Sequence, residues 1–354
     1  MAQDAGWGGW GGGGWAPPKP GVIPLGPLKL GDIFNGAFST LGRYWKQLLA
    51  VGATLYGGAL VVLGAAVAVA YGAVSDHLDR LFDLDEGESA ASGDVVPVVV
   101  AFGVVVLLGM LAMVVASAVV YAAVPAVLQD AVLGRPTTFS AVWRRAWART
   151  PAVIGTLLLT GLITMVPMVL AVGALTAGII AAVATDGGGS AVTLIVVGAV
   201  CFLAFVPLVL WIWVRFSLAP ATAVFENQGP VASLRRSALL VRGDWWRIFG
   251  MMLLSGIIAS AVSYIIQLPF NFLGMFTGAL GSTAVDENTH PAAIITALGG
   301  YVVLAVLGQL VGQLVVAVFP PLITGLLYVD RRIRTENLAP VLAEAASVPP
   351  PYAP

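Results

Sequence analysis

The sequence is poor in charge. Asp, Glu, Lys and Arg make up 10% of its 354 residues, whereas soluble globular chains carry about 25%. Hydrophobic residues make up 59%, and the mean hydropathy is +0.94. So few charges exclude a chain that keeps most of its surface in water, and we predict that most of this one contacts lipid.

Residues that build catalytic and metal sites are also scarce. There is one cysteine, Cys201, and two histidines, His77 and His290, so neither an internal disulfide nor a cysteine-pair metal site can form. We find no Gly-x-Ser-x-Gly, no phosphate-binding glycine loop ending in Lys-Ser/Thr and no His-Glu-x-x-His. We predict no catalytic residue, no cofactor and no metal. His77, beside Asp76 and Asp79, belongs either to a solvated acidic patch or to a weak metal site.

What the sequence has instead is long runs without charge. A hydrocarbon core about 30 Å thick needs about 20 apolar residues in helical form. Six runs meet this length: 48–74, 95–128, 151–185, 190–214, 248–285 and 291–329. They predict an all-α fold, a transmembrane bundle of six spans. Pro269 in the fifth run removes a backbone donor and predicts a kink or a helix end.

The basic residues are sorted along the chain. Of the 17 Lys and Arg residues, only Arg80 falls on the side of the predicted membrane opposite to the rest. The largest loop on that side, 75–94, holds seven carboxylates. Because basic loops stay in the cytoplasm, we predict a multi-pass protein of the bacterial plasma membrane with both termini cytoplasmic.

A basic, aromatic segment precedes spans one, three and five. Before span three, Val142, Trp143 and Ala146 share one helical face at 100° per residue, and Arg144 and Arg145 lie off it. Such helices lie in the membrane interface, a depth that tryptophan favours. We predict interface positions for Trp45, Trp143, Arg144, Arg145, Trp147, Arg149, Arg235, Arg236, Trp245 and Trp246.

The second spans of the three predicted pairs end in a similar sequence pattern. A proline is followed by an acidic residue in three places: Pro125 and Asp130, Pro220 and Glu226, Pro320–Pro321 and Asp330. The pattern predicts three parallel repeats of an interfacial helix plus two spans, at about 28–130, 137–226 and 229–335 of a membrane domain 28–335.

The two tails are low in complexity. Residues 1–27 are rich in Gly, Trp and Pro, which predicts a disordered cytoplasmic tail, either passive or touching the inner leaflet through its tryptophans. Residues 336–354 form a Pro-rich cytoplasmic tail with Pro-Pro-Pro-Tyr at 349–352. That motif is either chance proline richness or a ligand for a WW-type groove.

No ionisable group lies deep in the spans, so the polar residues there are amides. They form two i, i+4 pairs, Gln267 with Asn271 and Gln309 with Gln313. Gly308 and Gly312 beside the second pair permit close helix packing. The amides are therefore either packing contacts or the lining of a substrate path. Arg215 is predicted as a snorkelling anchor at the inner end of span four.

Three stretches carry a family resemblance: PPKPGVIPLGPLKLGDIFNGAFSTLGRYWKQLLAVGA near the N-terminus, VRGDWWRIFGMMLL at 241–254 and YVDRRIRTENL at 328–338. Across about residues 20–340, the chain resembles uncharacterised bacterial multipass proteins. These are similar to the membrane domain of glycerophosphoryl diester phosphodiesterases. The resemblance implies architecture only, because the His-Arg-Gly motif and the catalytic barrel of those enzymes are absent here.

Two functional hypotheses remain. The first is a non-enzymatic membrane protein that organises lipids, anionic ones in particular, or an unidentified protein partner at the cytoplasmic face. The second is a transporter or lipid translocator with an amide-lined path between spans five and six. Nucleic acid is not an expected partner, because the arginines border apolar faces and adjoin membrane spans.

Overall fold

The computed structural model describes residues 19–82, 91–184, 189–282 and 291–347, which form nine helices and no strand. Six of the helices are long and apolar enough to cross a membrane, so the predicted all-α, six-span class is confirmed. The helices are α1 Leu30–Phe82, α2 Ser92–Val132, α3 Phe139–Ala184, α4 Gly189–Phe216, α5 Ala219–Phe225, α6 Pro230–Val241, α7 Trp245–Ser282, α8 Pro291–Glu336 and α9 Ala339–Ser347.

The long helices pack in sequential pairs, with the most extensive contacts between α1 and α2, α3 and α4, and α7 and α8. Glycine allows the closest approach in the second pair. A Cβ built at Gly198 would lie 2.9 Å from the carbonyl oxygen of Ala174, and one at Gly178 would lie 2.7 Å from that of Leu194. The backbones of α3 and α4 therefore touch at a point where no larger residue fits.

The hydrophobic core sits at the end of the bundle that carries the basic residues. The last turns of α2, the whole of α5 and the last turns of α8 are buried there, with Leu128, Leu218 and Leu326 fully covered. Toward the other end the helices expose large apolar side chains, among them Phe102 and Ile265. This distribution suits a bundle whose outer half is covered by acyl chains.

The three predicted interfacial segments differ in how they join the spans. The first is the start of α1, which kinks at Tyr44, where φ is −115° and ψ is 19°. The second continues directly into α3. The third is the separate helix α6, which a turn with Gly243 at φ +92° divides from α7.

The apolar stripe of each segment is only partly covered by the protein itself. Ile33, Val142 and Ala146 are fully buried, whereas Phe38 and Val231 keep 51% and 63% of their surface exposed. Amphipathicity shows that one face is buried without showing what covers it. Here protein covers part of that face and leaves the rest for lipid.

The predicted boundary of the disordered tail is wrong. Residues 19–29 lie across the basic end of the bundle, with Val22, Ile23 and Leu28 buried. The backbone N–H of Val22 donates to the carbonyl oxygen of Ala131 over 3.1 Å. The apolar residues between the prolines bury enough surface to order this segment. Residues 1–18, the acidic residues 83–90, His290 and the Pro-Pro-Pro-Tyr motif lie outside the described residues.

Two further expectations meet a different outcome. The helix does not end at Pro269, because α7 runs through it to Ser282. The C-terminal segment, predicted as a Pro-rich tail, contains the helix α9, whose Leu342 packs against the core.

Candidate functional site

The acid that closes each repeat is held by arginine. Asp130 accepts from Nη2 of Arg145 over 2.5 Å. Glu226 accepts from Nε of Arg236 over 2.9 Å. In both cases the arginine belongs to the basic segment that follows, so the ion pair ties one repeat to the next.

The third acid closes the bundle. The Asp330 side chain is fully buried and accepts from Nη1 of Arg247 over 2.7 Å and from Nε of Arg334 over 2.9 Å. It also accepts from the backbone N–H of Leu28 over 2.8 Å. Both arginines donate in addition to the carbonyl oxygen of Leu28. The N-terminal segment is therefore tied to α7 and α8 through one carboxylate.

Two arginines of the predicted interface set, Arg145 and Arg236, form ion pairs within the protein. Burial by itself would lower the pKa of Arg236, but hydrogen bonds to Glu226 and Glu336 raise that pKa above its ordinary value. The guanidinium of Arg236 therefore stays charged and holds α6 against α8.

Other arginines have no carboxylate partner among the described residues, and three of them line one cavity. Arg215, Arg235 and Arg242 surround a space of about 440 Å³ between the C-terminal end of α4, α6 and the turn into α7. We call this space the basic cavity. None of its lining residues is acidic, and Asp244, close in sequence, is paired with Arg331.

The position of Arg215 is set by its own helix. Its guanidinium carbon lies 4.6 Å from the centroid of the Trp211 ring, one turn earlier on α4. A cation over an indole face is held by the quadrupole of the ring. Its backbone carbonyl oxygen accepts from Oγ of Ser237 on α6. The arginine is thus placed in the wall without neutralisation of its charge.

An apolar space adjoins the basic cavity. It measures about 510 Å³ and is lined by Pro207, Leu210, Trp211, Trp245, Trp246 and Phe249. We call it the tryptophan slot. It shares Trp211 and Trp245 with the basic cavity, so the two spaces are contiguous. Together they form one groove along the α4–α7 seam, where the two helices make little contact.

The aromatic side chains of the slot contact one another. The rings of Trp245 and Phe249 stack at 5.2 Å, and those of Trp245 and Trp246 meet edge to face at 4.7 Å. Nε1 of Trp245 is buried and has no hydrogen-bond acceptor among the described residues. A donor left without an acceptor costs free energy, and Trp245 lines both the basic cavity and the tryptophan slot.

The remaining predicted interface residues lie elsewhere on the same end. Trp45 is 49% exposed and contacts Lys46 through its ring. Trp143 and Trp147 meet edge to face on α3, next to Arg144 and Arg149, which have no ion pair within the described part of the chain. Trp143, Arg144, Trp147 and Arg149 form a basic, aromatic surface on the second repeat.

The four predicted amides do not line one space. Gln309 and Gln313 border a cavity of about 130 Å³ with residues of α1 and α2, such as Tyr56 and Gly109. Gln267 instead donates to Oγ of Ser263 within α7 and lies against Gly312. Asn271 is half-buried on α7.

Sequence reasoning missed two members of the groove. Trp211 and Arg242 were not in the predicted interface set, although Trp211 precedes Arg215 by four residues and so shares its helical face. The four-residue spacing could therefore have identified Trp211 from the sequence. The presence of Arg242 in the same lining as Arg215 could not be predicted from spacing, because Arg215 lies on α4 and Arg242 in the turn after α6. On the opposite side of the molecule, Nδ1 of His77 lies 2.8 Å from Asp94 and 2.7 Å from Arg80.

The comparisons with known proteins give one match. A family model described as "Domain of unknown function (DUF7847)" matches residues 137–328, more than half of the chain. No curated protein and no solved structure matches. Every residue named above in the groove falls within the matched segment.

Proposed function

This chain belongs to the DUF7847 family, and for it we propose a non-enzymatic role, the binding and organisation of anionic phospholipid at the cytoplasmic face of the plasma membrane. The groove between α4, α6 and α7 holds the lipid. The same basic face contacts any protein partner that recognises the bound lipid.

The observation that carries this proposal is a set of three arginines around one cavity, none of which has a carboxylate partner among the described residues. Guanidinium groups bind phosphate oxygens in two-point contacts. Three of them close together repel one another, so a phosphate that bridges them relieves that repulsion. Each basic residue near an anionic leaflet contributes about 1 kcal/mol of attraction.

The depth of the groove fits a lipid that stays in its leaflet. Arg215 follows the uncharged run 190–214, which places it at the end of the hydrocarbon region. The tryptophan slot begins beside it, at the level that indole rings favour. A phosphate in the basic cavity would therefore leave its acyl chains beside Trp246 and Phe249.

The rival, a translocator with an amide-lined path, has less support. Gln309 and Gln313 lie toward α1 and α2, while Gln267 lies toward Gly312. A path between α7 and α8 would need these amides on one surface. The proposed resemblance to membrane domains of glycerophosphoryl diester phosphodiesterases implies a shared architecture and no catalytic residue.

The test replaces Arg215, Arg235 and Arg242 together by glutamine. The purified protein is placed in phosphatidylcholine nanodiscs with a small fraction of phosphatidylglycerol, and retained lipid is measured by native mass spectrometry. We expect the variant to bind phosphatidylglycerol at least about tenfold more weakly, since tenfold corresponds to about 1.4 kcal/mol and three charges are lost.

The matched control is Arg144→Gln with Arg149→Gln, two unpaired arginines on the same face outside the groove. It should retain the phosphatidylglycerol affinity of the unmodified protein. Equal losses in both variants would mean diffuse surface attraction and no site, and undiminished binding in the triple variant would overturn the proposal.

A further inference from the structure

A second cavity lies where the three repeats meet. It measures about 290 Å³ and is bordered by α2, α3, α4, α5, α7 and α8. We call it the central cavity. It shares no lining residue with the groove, so its occupant is a separate question.

The prolines that end the repeats give this cavity backbone acceptors. A proline in a helix has no N–H for the carbonyl four residues earlier. For Pro125 and Pro320, which lie inside α2 and α8, those earlier residues are Tyr121 and Val316. Phe216 adds a carbonyl for a different reason: it is the last residue of α4, and the carbonyls of a last helical turn have no partner within their helix. Tyr121, Val316 and Phe216 all line the central cavity. No side chain donates to their carbonyl oxygens within the described residues.

Hydroxyl groups add further acceptors. Ser217, Ser255 and Thr324 line the cavity, and each donates its own hydrogen to a carbonyl three residues earlier in the chain. Their oxygens keep lone pairs for another donor. The lining therefore offers these acceptors together with two donor residues, Tyr121 and Trp213. It contains no Lys, Arg, His, Asp or Glu.

This chemistry selects among occupants. A phosphate would face carbonyl dipoles of its own sign, and a cation would lack a counter-charge in a region where an unpaired charge is costly. An acyl chain would leave the freed carbonyls unsatisfied. A neutral group that carries hydroxyl donors satisfies them without either penalty.

We propose that the central cavity binds a neutral polyol group, the glycerol hydroxyl end of an uncharged lipid or the same group as a free polyol. At 290 Å³ it is near the lower end of ligand-binding cavities, which suits a headgroup rather than a whole lipid. The cavity lies beside the α4–α7 seam, where two helices in weak contact leave room for the acyl chains.

The principal test fills the cavity. Gly256 lines it, and a Cβ there meets nothing within 4 Å, so Gly256→Leu places a side chain in the space. The probes are 1,2-dioctanoylglycerol and free glycerol, added to the protein in phosphatidylcholine nanodiscs. Adducts are counted by native mass spectrometry, and the shift in melting temperature is measured alongside.

We expect the unmodified protein to bind dioctanoylglycerol and Gly256→Leu to lose at least tenfold in affinity. Gly250→Leu is the matched control, because Gly250 lies on the same helix, is exposed and meets nothing within 4 Å. Retained phosphatidylglycerol binding by Gly256→Leu shows that the fold is intact, and it separates failure here from failure of the groove.

A second variant tests the freed carbonyl. Pro320→Ala restores the N–H that pairs with the carbonyl of Val316, so several-fold weaker binding of dioctanoylglycerol is expected. Pro167→Ala is the control, a proline inside α3 that does not line the cavity.

The two probes distinguish the source of the polyol. Binding of both probes assigns a free polyol site, and binding of dioctanoylglycerol alone assigns a site for a lipid headgroup. If neither probe binds, or if Gly256→Leu binds dioctanoylglycerol as well as the unmodified protein does, the proposal is overturned and the cavity holds water only.

Discussion

At the scale of single residues, Asp330 has the most contacts to lose. Its side chain is fully buried, and two arginines and the backbone of Leu28 depend on it. Removing one partner of a buried pair is strongly destabilising, because the other charge remains without compensation. The carboxylate therefore fastens the N-terminal segment more firmly than any single apolar contact does.

We predict that Asp330→Asn lowers the free energy of unfolding by about 3 kcal/mol, toward the low end for a broken buried pair because both arginines keep some solvent contact. Denaturation in mixed micelles measures it. The control is Asp76→Asn, an exposed carboxylate near the other end of α1, which should change little. Equal stability of the two variants would show that the arginines find other partners.

Neighbouring arginines of one basic segment can have different partners, which the sequence pattern does not show. Arg144 and Arg145 are adjacent in a basic segment, yet Arg145 pairs with Asp130 and Arg144 has no carboxylate partner in the described part of the chain. Helical phase predicts that the two point in different directions. Helical phase does not show that Asp130, on the preceding helix, lies within reach of Arg145.

At the scale of elements, the pairs of long helices are held by close backbone approach as well as by apolar side chains. The contact of Gly178 and Gly198 is the closest between α3 and α4 among the described glycines. Lipid chains are as apolar as leucine, so association of spans rests on packing rather than on the hydrophobic effect. Small residues at the crossing are what make that packing dense.

We predict that Gly198→Ala destabilises the protein by about 1–3 kcal/mol, the usual cost of overpacking. The new Cβ would meet backbone atoms of Ala174 and Gly178, which cannot rotate away. Gly173→Ala on α3 is the control, since a Cβ there meets nothing within 4 Å. A thermal melt in detergent that ranks the two variants in the opposite order would contradict this packing.

Element boundaries were less predictable than the elements. Six uncharged runs predict six long helices, and six are present. The joins between basic segment and span are not uniform: a kink at Tyr44, an unbroken α3 and a turn at Gly243. Pro151 opens a predicted span yet leaves α3 continuous, because a helix held by neighbours tolerates one missing hydrogen bond.

At the scale of the whole molecule, the buried core and most ion pairs of the described residues share one end, while His77 and Arg80 pair with Asp94 near the other. Lys and Arg residues cluster at the end that holds the core, and the opposite end exposes apolar side chains. A bundle tied at one end and open to lipid along the rest suits a protein whose work is done at one membrane face. Our proposal that this face is cytoplasmic follows from the positions of the basic residues.

We predict that a membrane-impermeant maleimide labels Asp79→Cys in intact cells and labels Arg144→Cys only after permeabilisation. Both positions are exposed, and both changes are made with Cys201→Ser, which removes the single native thiol. The reversed pattern would place the groove and the basic face outside the cell and would contradict the proposed orientation.

The sequence alone determined the all-α class and the number of spans, because hydrophobic length acts locally along the chain. The placement of its charges is the basis of the proposed orientation. The central features were decided by tertiary structure. The groove joins Arg215, Arg235 and Arg242 from separate elements, and the central cavity joins residues preceding three distant prolines. Such meetings depend on how helices cross, and crossing is set by the packing of side chains that lie far apart in sequence.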